Sequence, residues 1–269
     1  MQPLTAGDVV ARIKTKMAAE GVPWREASTR DRFKFGGPAT VVTGIATTFM
    51  GTWEAIDRAS KLGLNMLIPH EDTFWNDADN TAVVEHDAYY KAKVEFMQKN
   101  NIAVFRIHDH MHSQRPDFTF TGTAREIGLD PKTETAPNSR RFVIPETTLG
   151  ELAARVKKVR GDDAIRVVGD PRARVSRIAI GAGMATPQVN PPDVDVVIGG
   201  EQNETDQGLD SPQYTMDAAT LGVPKGWILL GHNMSEESGM QEMADWLRPI
   251  VPEVRVQHVR AGTVYWVPK

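Results

Sequence analysis

The residues best placed to do chemistry are histidines with carboxylates beside them. His232 and Glu236 lie four apart in GHNMSEESGM (residues 231–240), straight after the apolar run 227–230. If a helix begins there, one turn separates the two side chains and they project to the same side. An imidazole and a carboxylate so placed can hold a metal ion or share a proton. The same residues admit a second explanation: Asn233 followed by Glu236 has capping-box spacing, which would make Glu236 a helix-start device. His70 and Glu71 stand together at the end of the run 65–69. IHDHMHS then puts His108, Asp109, His110 and His112 directly after the run 102–107. If that strand continued, alternation would set its three histidines on one face; on a loop, only one or two need converge. Glu201 closes a fourth run, 194–198, in GGE.

These groups recur at one kind of place, the ends of predicted strands, and the elements between them explain why. Thr5 and Asp8 have capping-box spacing ahead of a helix with Val9, Val10, Ile13 and Met17 on one face. A strand over 41–49, a helix over 53–62 and a strand over 65–69 follow, then a long helix over 81–99 and a strand over 102–107. Residues 113–138 read as a long loop with a helical turn near 124–128. Beyond Arg141 come a strand (142–144), a helix (149–159) and strands over 164–168, 175–180 and 194–198. A short helix (217–221), the run 227–230 and the last long helix complete that half, with β-like runs at 254–259 and 263–267. The glycine-rich turn GAGMATP after Ile180 can cradle an anion, although a tight turn is its plainer reading. Alternation of strands and helices predicts an α/β fold with substantial parallel sheet, whose ligand site lies beyond the carboxyl ends of the strands. His86 and His258 fall outside this pattern and read as ordinary surface or strand positions.

Composition narrows the chemistry. The 269 residues suffice for one large domain or two lobes. A net charge of -4 offers no electrostatic footprint for nucleic acid. No apolar run approaches the roughly 20 residues needed to cross a bilayer, and the first residues do not have the pattern of a signal peptide. There is no cysteine, so any metal ligands are nitrogen or oxygen, a set suited to Zn, Mn, Fe or Co. Neither the G-x-S-x-G elbow nor the G-x-x-x-x-G-K-[ST] loop occurs, which disfavours a serine hydrolase and a P-loop NTPase.

Taken together, IPHEDTFW, RIHDHMH, TTLGELAARVKKVRG, VSRIAIGAG, DVDVVIGGE and GHNMSEESGM resemble the Nif-three-like family along most of the chain. These are dinuclear-metal-centre hexameric proteins, often labelled GTP cyclohydrolase one type two. The resemblance implies a two-lobed α/β fold with mixed, largely parallel sheets and flanking helices. It places an N-terminal lobe at 1–140 and a C-terminal lobe at 141–269. It makes His232 and Glu236 the late metal ligands and His70 an early one. Glu71 stands where the family has a second adjacent histidine, and His112 where it has an aspartate. The inventory of three histidines and two carboxylates is thereby kept, which predicts carboxylate ligation by Glu71, bridging or terminal, and nitrogen ligation by His112. The alternative leaves Glu71 in solvent while His108 or His110 binds. His108 is expected to stabilise developing charge, and Glu201 to orient the ligands. The activity implied is metal-dependent hydrolysis of a small-molecule or nucleotide-like substrate with one or two divalent ions; the rival is metal binding, storage or delivery without turnover. A homo-oligomer, possibly a hexamer, in the cytoplasm completes these expectations. The terminal run VYWV is a candidate edge for that assembly but reads more simply as a core strand.

Overall fold

A computed structural model of the chain describes residues 2–78, 80–161, 164–184, 191–202 and 207–266. The chain folds as two compact units. The first comprises Met1–Phe118 with Met240–Gly262, and the second Thr119–Gly239 with Thr263–Lys269. The units are thus not the continuous halves expected from the sequence, because the chain returns to the first unit after residue 239.

The first unit is built on a five-stranded sheet in the order β1-β4-β3-β2-β10. Its strands are β1 (Phe33–Phe35), β2 (Gly44–Thr48), β3 (Met66–Pro69), β4 (Ala103–Phe105) and β10 (Arg255–His258). All pairings are parallel except that of edge strand β1 with β4. The interior strands are buried throughout because both faces are covered. Ile45, Met66, Ile68, Ala103 and Phe105 pack with α1 (Ala6–Ala19) and α9 (Gly239–Leu247), while Ala46, Leu67 and Val104 pack with α2 (Trp53–Lys61) and α3 (Ala88–Lys99). The return of the chain follows from this packing: Met240, Met243, Ala244 and Leu247 recur at helical spacing and join the first core, and Val256 brings β10 alongside β2. The Thr5–Asp8 capping box at the start of α1 forms as expected.

The second unit has its own five-stranded sheet, in the order β5-β7-β8-β9-β6. The central strands β7 (Arg174–Ile180), β8 (Val196–Gly199) and β9 (Gly226–Leu229) run parallel; the edges β5 (Arg141–Thr148) and β6 (Arg166–Val168) run antiparallel to their neighbours. Helices α5 (Phe118–Glu126) and α6 (Leu149–Arg160) cover one face through Phe120, Ala124, Leu149, Leu152 and Val156. A second capping box, Thr148 with Glu151, starts α6. Helix α7 (Gln207–Thr220) precedes β9.

Several elements depart from the sequence pattern. The long helix over 81–99 is a 3-10 turn, Thr81–Val83, and then α3, with the fully solvated His86 between them. The loop over 113–138 contains the whole of α5, whose buried face (Thr119, Phe120, Thr123, Ala124) mixes threonine with apolar residues and so lacks a clear period. The last long helix is two: α8 (His232–Glu236) and α9. Residues 263–266 form no strand, and Val264, Tyr265 and Trp266 are exposed, so VYWV is not a core strand; Val267 lies outside the described residues. No helix among the described residues is long and apolar enough to cross a membrane.

Candidate metal centre

Parallel strands β3 and β4 are neighbours, so their carboxyl ends deliver His70 and the segment Arg106, Ile107, His108 to one end of the first sheet. A short helix, α4 (Asp109–Ser113), begins there at once. Its start is set by Asp31, whose buried carboxylate accepts the backbone N–H groups of His108 at 2.6 Å, Asp109 at 3.0 Å and His110 at 2.9 Å. Amides at a helix start lack intrahelical partners, and here one carboxylate takes all three. Helical spacing then decides which histidines meet. His108 and His112 are one turn apart on one side, the His112 N–H donating to the His108 carbonyl at 3.1 Å.

His110 points elsewhere. Its Nδ1 lies 2.6 Å from Asp31 Oδ2, its Nε2 accepts the Arg25 N–H at 2.9 Å, and its ring stacks on Trp24 at 3.8 Å. Both ring nitrogens are engaged in a fully buried setting, so His110 holds the fold together. The alternative of a continued strand with all three histidines on one face is therefore excluded.

His70, His108 and His112 offer ligand nitrogens that all lie within 4.8 Å of one another. The surrounding acceptors settle their tautomers. Nδ1 of His70 lies 3.1 Å from the Ile107 carbonyl, that of His108 3.0 Å from Asp109 Oδ1, and that of His112 3.0 Å from Asp117 Oδ2. A carbonyl or carboxylate oxygen only accepts, so each Nδ1 carries a hydrogen; neutral His70 and His112 keep an Nε2 lone pair, while Nε2 of His108, facing Glu71 Oε1 at 3.3 Å, holds a hydrogen unless a cation takes its place. The Nε2 atoms of His70 and His112 are 3.2 Å apart. Two lone pairs at that distance repel unless a proton or a cation lies against them. Imidazoles oriented through Nδ1 by oxygen acceptors, with Nε2 atoms converging, are the arrangement in which proteins hold transition-metal ions. The donor set fits a first-row divalent ion.

Charge is arranged around this cluster. Fully buried Arg106 donates through Nη2 to Glu71 Oε2 at 2.5 Å, while Glu71 Oε1 lies 3.3 Å from His108 Nε2. Burial pushes the Glu71 carboxyl up, but the His108 hydrogen bond and the charges of His70, His108 and Arg106 outweigh it and hold the carboxyl below its ordinary value. For His108, burial favours the neutral ring; Glu71 and Asp109 oppose it and leave the imidazole more basic than usual. Asp109 is held far below the carboxylate range: burial opposes this, but the Arg30 amide, His108, Thr29 and the Arg30 side chain prevail. Asp31 and Arg106 carry no signal that singles them out in the sequence. Asp31 lies far upstream of the helix it starts, and only tertiary structure shows that relation; Asp117, five residues after His112, was the findable one.

In the second unit, β8 and β9 deliver Glu201 and His232. Helix α8 begins at His232 with Gly231 as its cap (φ 85°), so Asn233 lies inside the helix and the capping-box reading of Glu236 is overturned. The side chains of His232 and Glu236 do share a side, with Nε2 to Oε2 at 3.2 Å, and Glu236 is buried. Glu201 Oε2 lies 2.8 Å from His232 Nδ1. Glycines make the close approach possible, since a Cβ on Gly183 would strike Glu236 Oε1, and one on Gly200 would strike Ser235 Oγ. The turn after Ile180 cradles no anion through the two amides that can be followed. The Gly181 N–H donates to the Ile198 carbonyl at 2.8 Å and the Gly183 N–H to Ser235 Oγ at 2.8 Å; residues 185–187 of that turn lie outside the described set.

Residues 32–262 match the DUF34/NIF3 family, NGG1p interacting factor 3, and the chain belongs to that family. No curated protein matches it by sequence. Among solved structures it is similar to the Staphylococcus aureus hypothetical protein SA1388, with a TM-score of 0.71, 17% identity, and coverage of 99% of this chain and 100% of that one. The Bacillus cereus protein related to NIF3 gives 0.70, 16%, 100% and 99% in the same order. TTHA1606 from Thermus thermophilus gives 0.64, 18%, 97% and 100%. At these identities the likeness is one of fold.

Proposed function

We propose that the chain is a metal-dependent hydrolase acting on a small molecule, with a first-row divalent ion held by the imidazoles of His70, His108 and His112. The observation that carries the reading is the convergence of three imidazoles whose Nδ1 partners are all oxygen acceptors. An ion there supplies Lewis acidity, which activates water near neutral pH and polarises a carbonyl or phosphoryl oxygen. The protein's part is orientation. Asp109, Asp117 and the Ile107 carbonyl fix the three ring planes, and Asp31 fixes the helix start that brings His108 and His112 together. In the second unit, His232 and Glu236 form a further candidate ligand pair, with Glu201 holding His232 in one tautomer. Assembly into a homo-oligomer belongs to the same proposal and rests on the family resemblance.

Untagged protein loaded with Zn2+, Mn2+ or Co2+ tests the reading against a panel of phosphate esters, nucleotides and cyclic amides, with and without chelator. Chelator-sensitive turnover supports it. Stoichiometric, reversible metal binding without turnover across the panel contradicts hydrolysis and supports storage or delivery.

A further inference from the structure

Arg106 is a fully buried cation beside the first unit's histidine cluster, and the chemistry proposed above gives it no role. Its guanidinium is shared among the site's framework. Nε donates to the His70 carbonyl at 2.9 Å, Nη1 to the Asp77 carbonyl at 2.8 Å, and Nη2 both to Asp77 Oδ1 at 2.8 Å and to Glu71 Oε2 at 2.5 Å. It therefore spans both ends of the loop from Glu71 to Asp77 and fixes the backbone of one metal-ligand candidate. A planar fork with fixed donor directions sets the rotation of a carboxylate as well as its distance. Glu71 is turned so that Oε2 faces the guanidinium and Oε1 faces His108 Nε2 at 3.3 Å.

Resting on the metal reading above, we propose that Arg106 is the positioning residue of this centre. It presents a single carboxylate oxygen, Glu71 Oε1, to the histidine cluster and withholds the other. Glu71 is then unable to chelate one ion through both oxygens or to bridge two ions, and nitrogen donors dominate the centre. This sharpens the expectation for Glu71 drawn from the sequence, in which bridging stood open.

Cobalt(II) is the probe, because its visible absorption weakens several-fold as ligand number rises from four to six, so band intensity reports geometry independently of turnover. Untagged wild type, Arg106→Lys, Arg106→Gln and each of these combined with Glu71→Gln are loaded with Co2+, with circular dichroism as the check on folding. Wild type should give a strong band. Arg106→Gln should weaken it at least twofold as Oε2 joins the ion, Arg106→Lys should weaken it less, and adding Glu71→Gln should restore it in both. A merely structural arginine would lower thermal stability without a change that depends on Glu71. The proposal is overturned if the folded Arg106 variants keep the wild-type band, or if Glu71→Gln fails to restore it. Should Arg106→Gln not fold, the lysine pair decides alone by the same outcomes. Wild type that takes up no cobalt removes the metal reading itself, and the positioning role with it.

Discussion

The two units solve the same problem with opposite materials. In the first, three imidazoles converge and the carboxylates Asp109 and Asp117 stand behind them on Nδ1, so the converging atoms are nitrogens. In the second, one imidazole stands between two carboxylates, Glu201 on Nδ1 and Glu236 on Nε2. Both lie at the carboxyl ends of parallel strands, followed by a five-residue helix. What differs is how the helix is started: a buried carboxylate, Asp31, in the first unit and a left-handed glycine, Gly231, in the second. One topology thus yields a nitrogen-rich and an oxygen-rich cluster, which under the metal reading proposed above would differ in preference by donor type. Imidazole favours Zn and Co, and carboxylate shifts the balance toward Mn and Mg.

The most damaging test of this contrast removes a converging nitrogen. His70→Ala should weaken Zn2+ binding by about 100-fold or more, since loss of an orienting partner alone costs about 10–100-fold; isothermal titration measures it. His232→Ala should impair Mn2+ uptake more than Zn2+ uptake, and equal losses of both ions in both variants would erase the distinction.

Asp31→Ala should cost about 3–5 kcal/mol in urea unfolding, because it strands three amide donors and the His110 ring at once. Asp31→Asn, which keeps one acceptor oxygen, should cost less.

Of the residues behind the rings, Asp117→Asn should weaken Zn2+ binding by about 10–100-fold with little change in unfolding. An unchanged affinity would mean that His112 is held by packing rather than by its Nδ1 partner.

The smaller effects lie away from the clusters. Asp195 is buried, which by itself raises its carboxyl. The Arg177 side chain and the amides of Ser176 and Arg177 outweigh that and hold it below the ordinary value. A folded value below the unfolded one means that the stability it contributes is complete above about pH 4. That contribution is lost as pH falls through the lower folded value. Asp195→Asn should therefore flatten the acid limb of a stability-against-pH curve and leave its slope above about pH 6 unchanged. Thr148→Ala, which removes the α6 capping box, should cost about 1 kcal/mol in the same assay.

The parts of this fold that could be read from the sequence are those in which a local pattern and the tertiary outcome coincide. The apolar runs before His70, His108, Glu201 and His232 are strands with both faces covered, and the histidines stand at their ends as parallel topology requires. The i, i+4 spacing of His232 and Glu236 held because a helix does begin at His232. What escaped was set at long range. Nothing local to HDHMH shows that Asp31 will start a helix at Asp109, and so nothing local separates His108 and His112, which meet, from His110, which turns to Trp24. Glu71 stands where the resemblance has a histidine, and its carboxylate is held by Arg106, a residue that carries no motif. The division of the chain was hidden for the same reason. The helical pattern of Met240, Met243 and Leu247 shows that the segment must be buried and says nothing of which sheet it joins.

Elemental analysis of untagged protein, purified without added chelator from medium containing trace Zn2+, Mn2+ and Co2+, tests the central claim most directly. Wild type should carry at least one first-row divalent ion per chain, His112→Ala should lose the first unit's ion, and His110→Phe, if folded, should retain it. Metal-free wild type, or an unchanged content in His112→Ala, would contradict the assignment of His70, His108 and His112 as a metal centre.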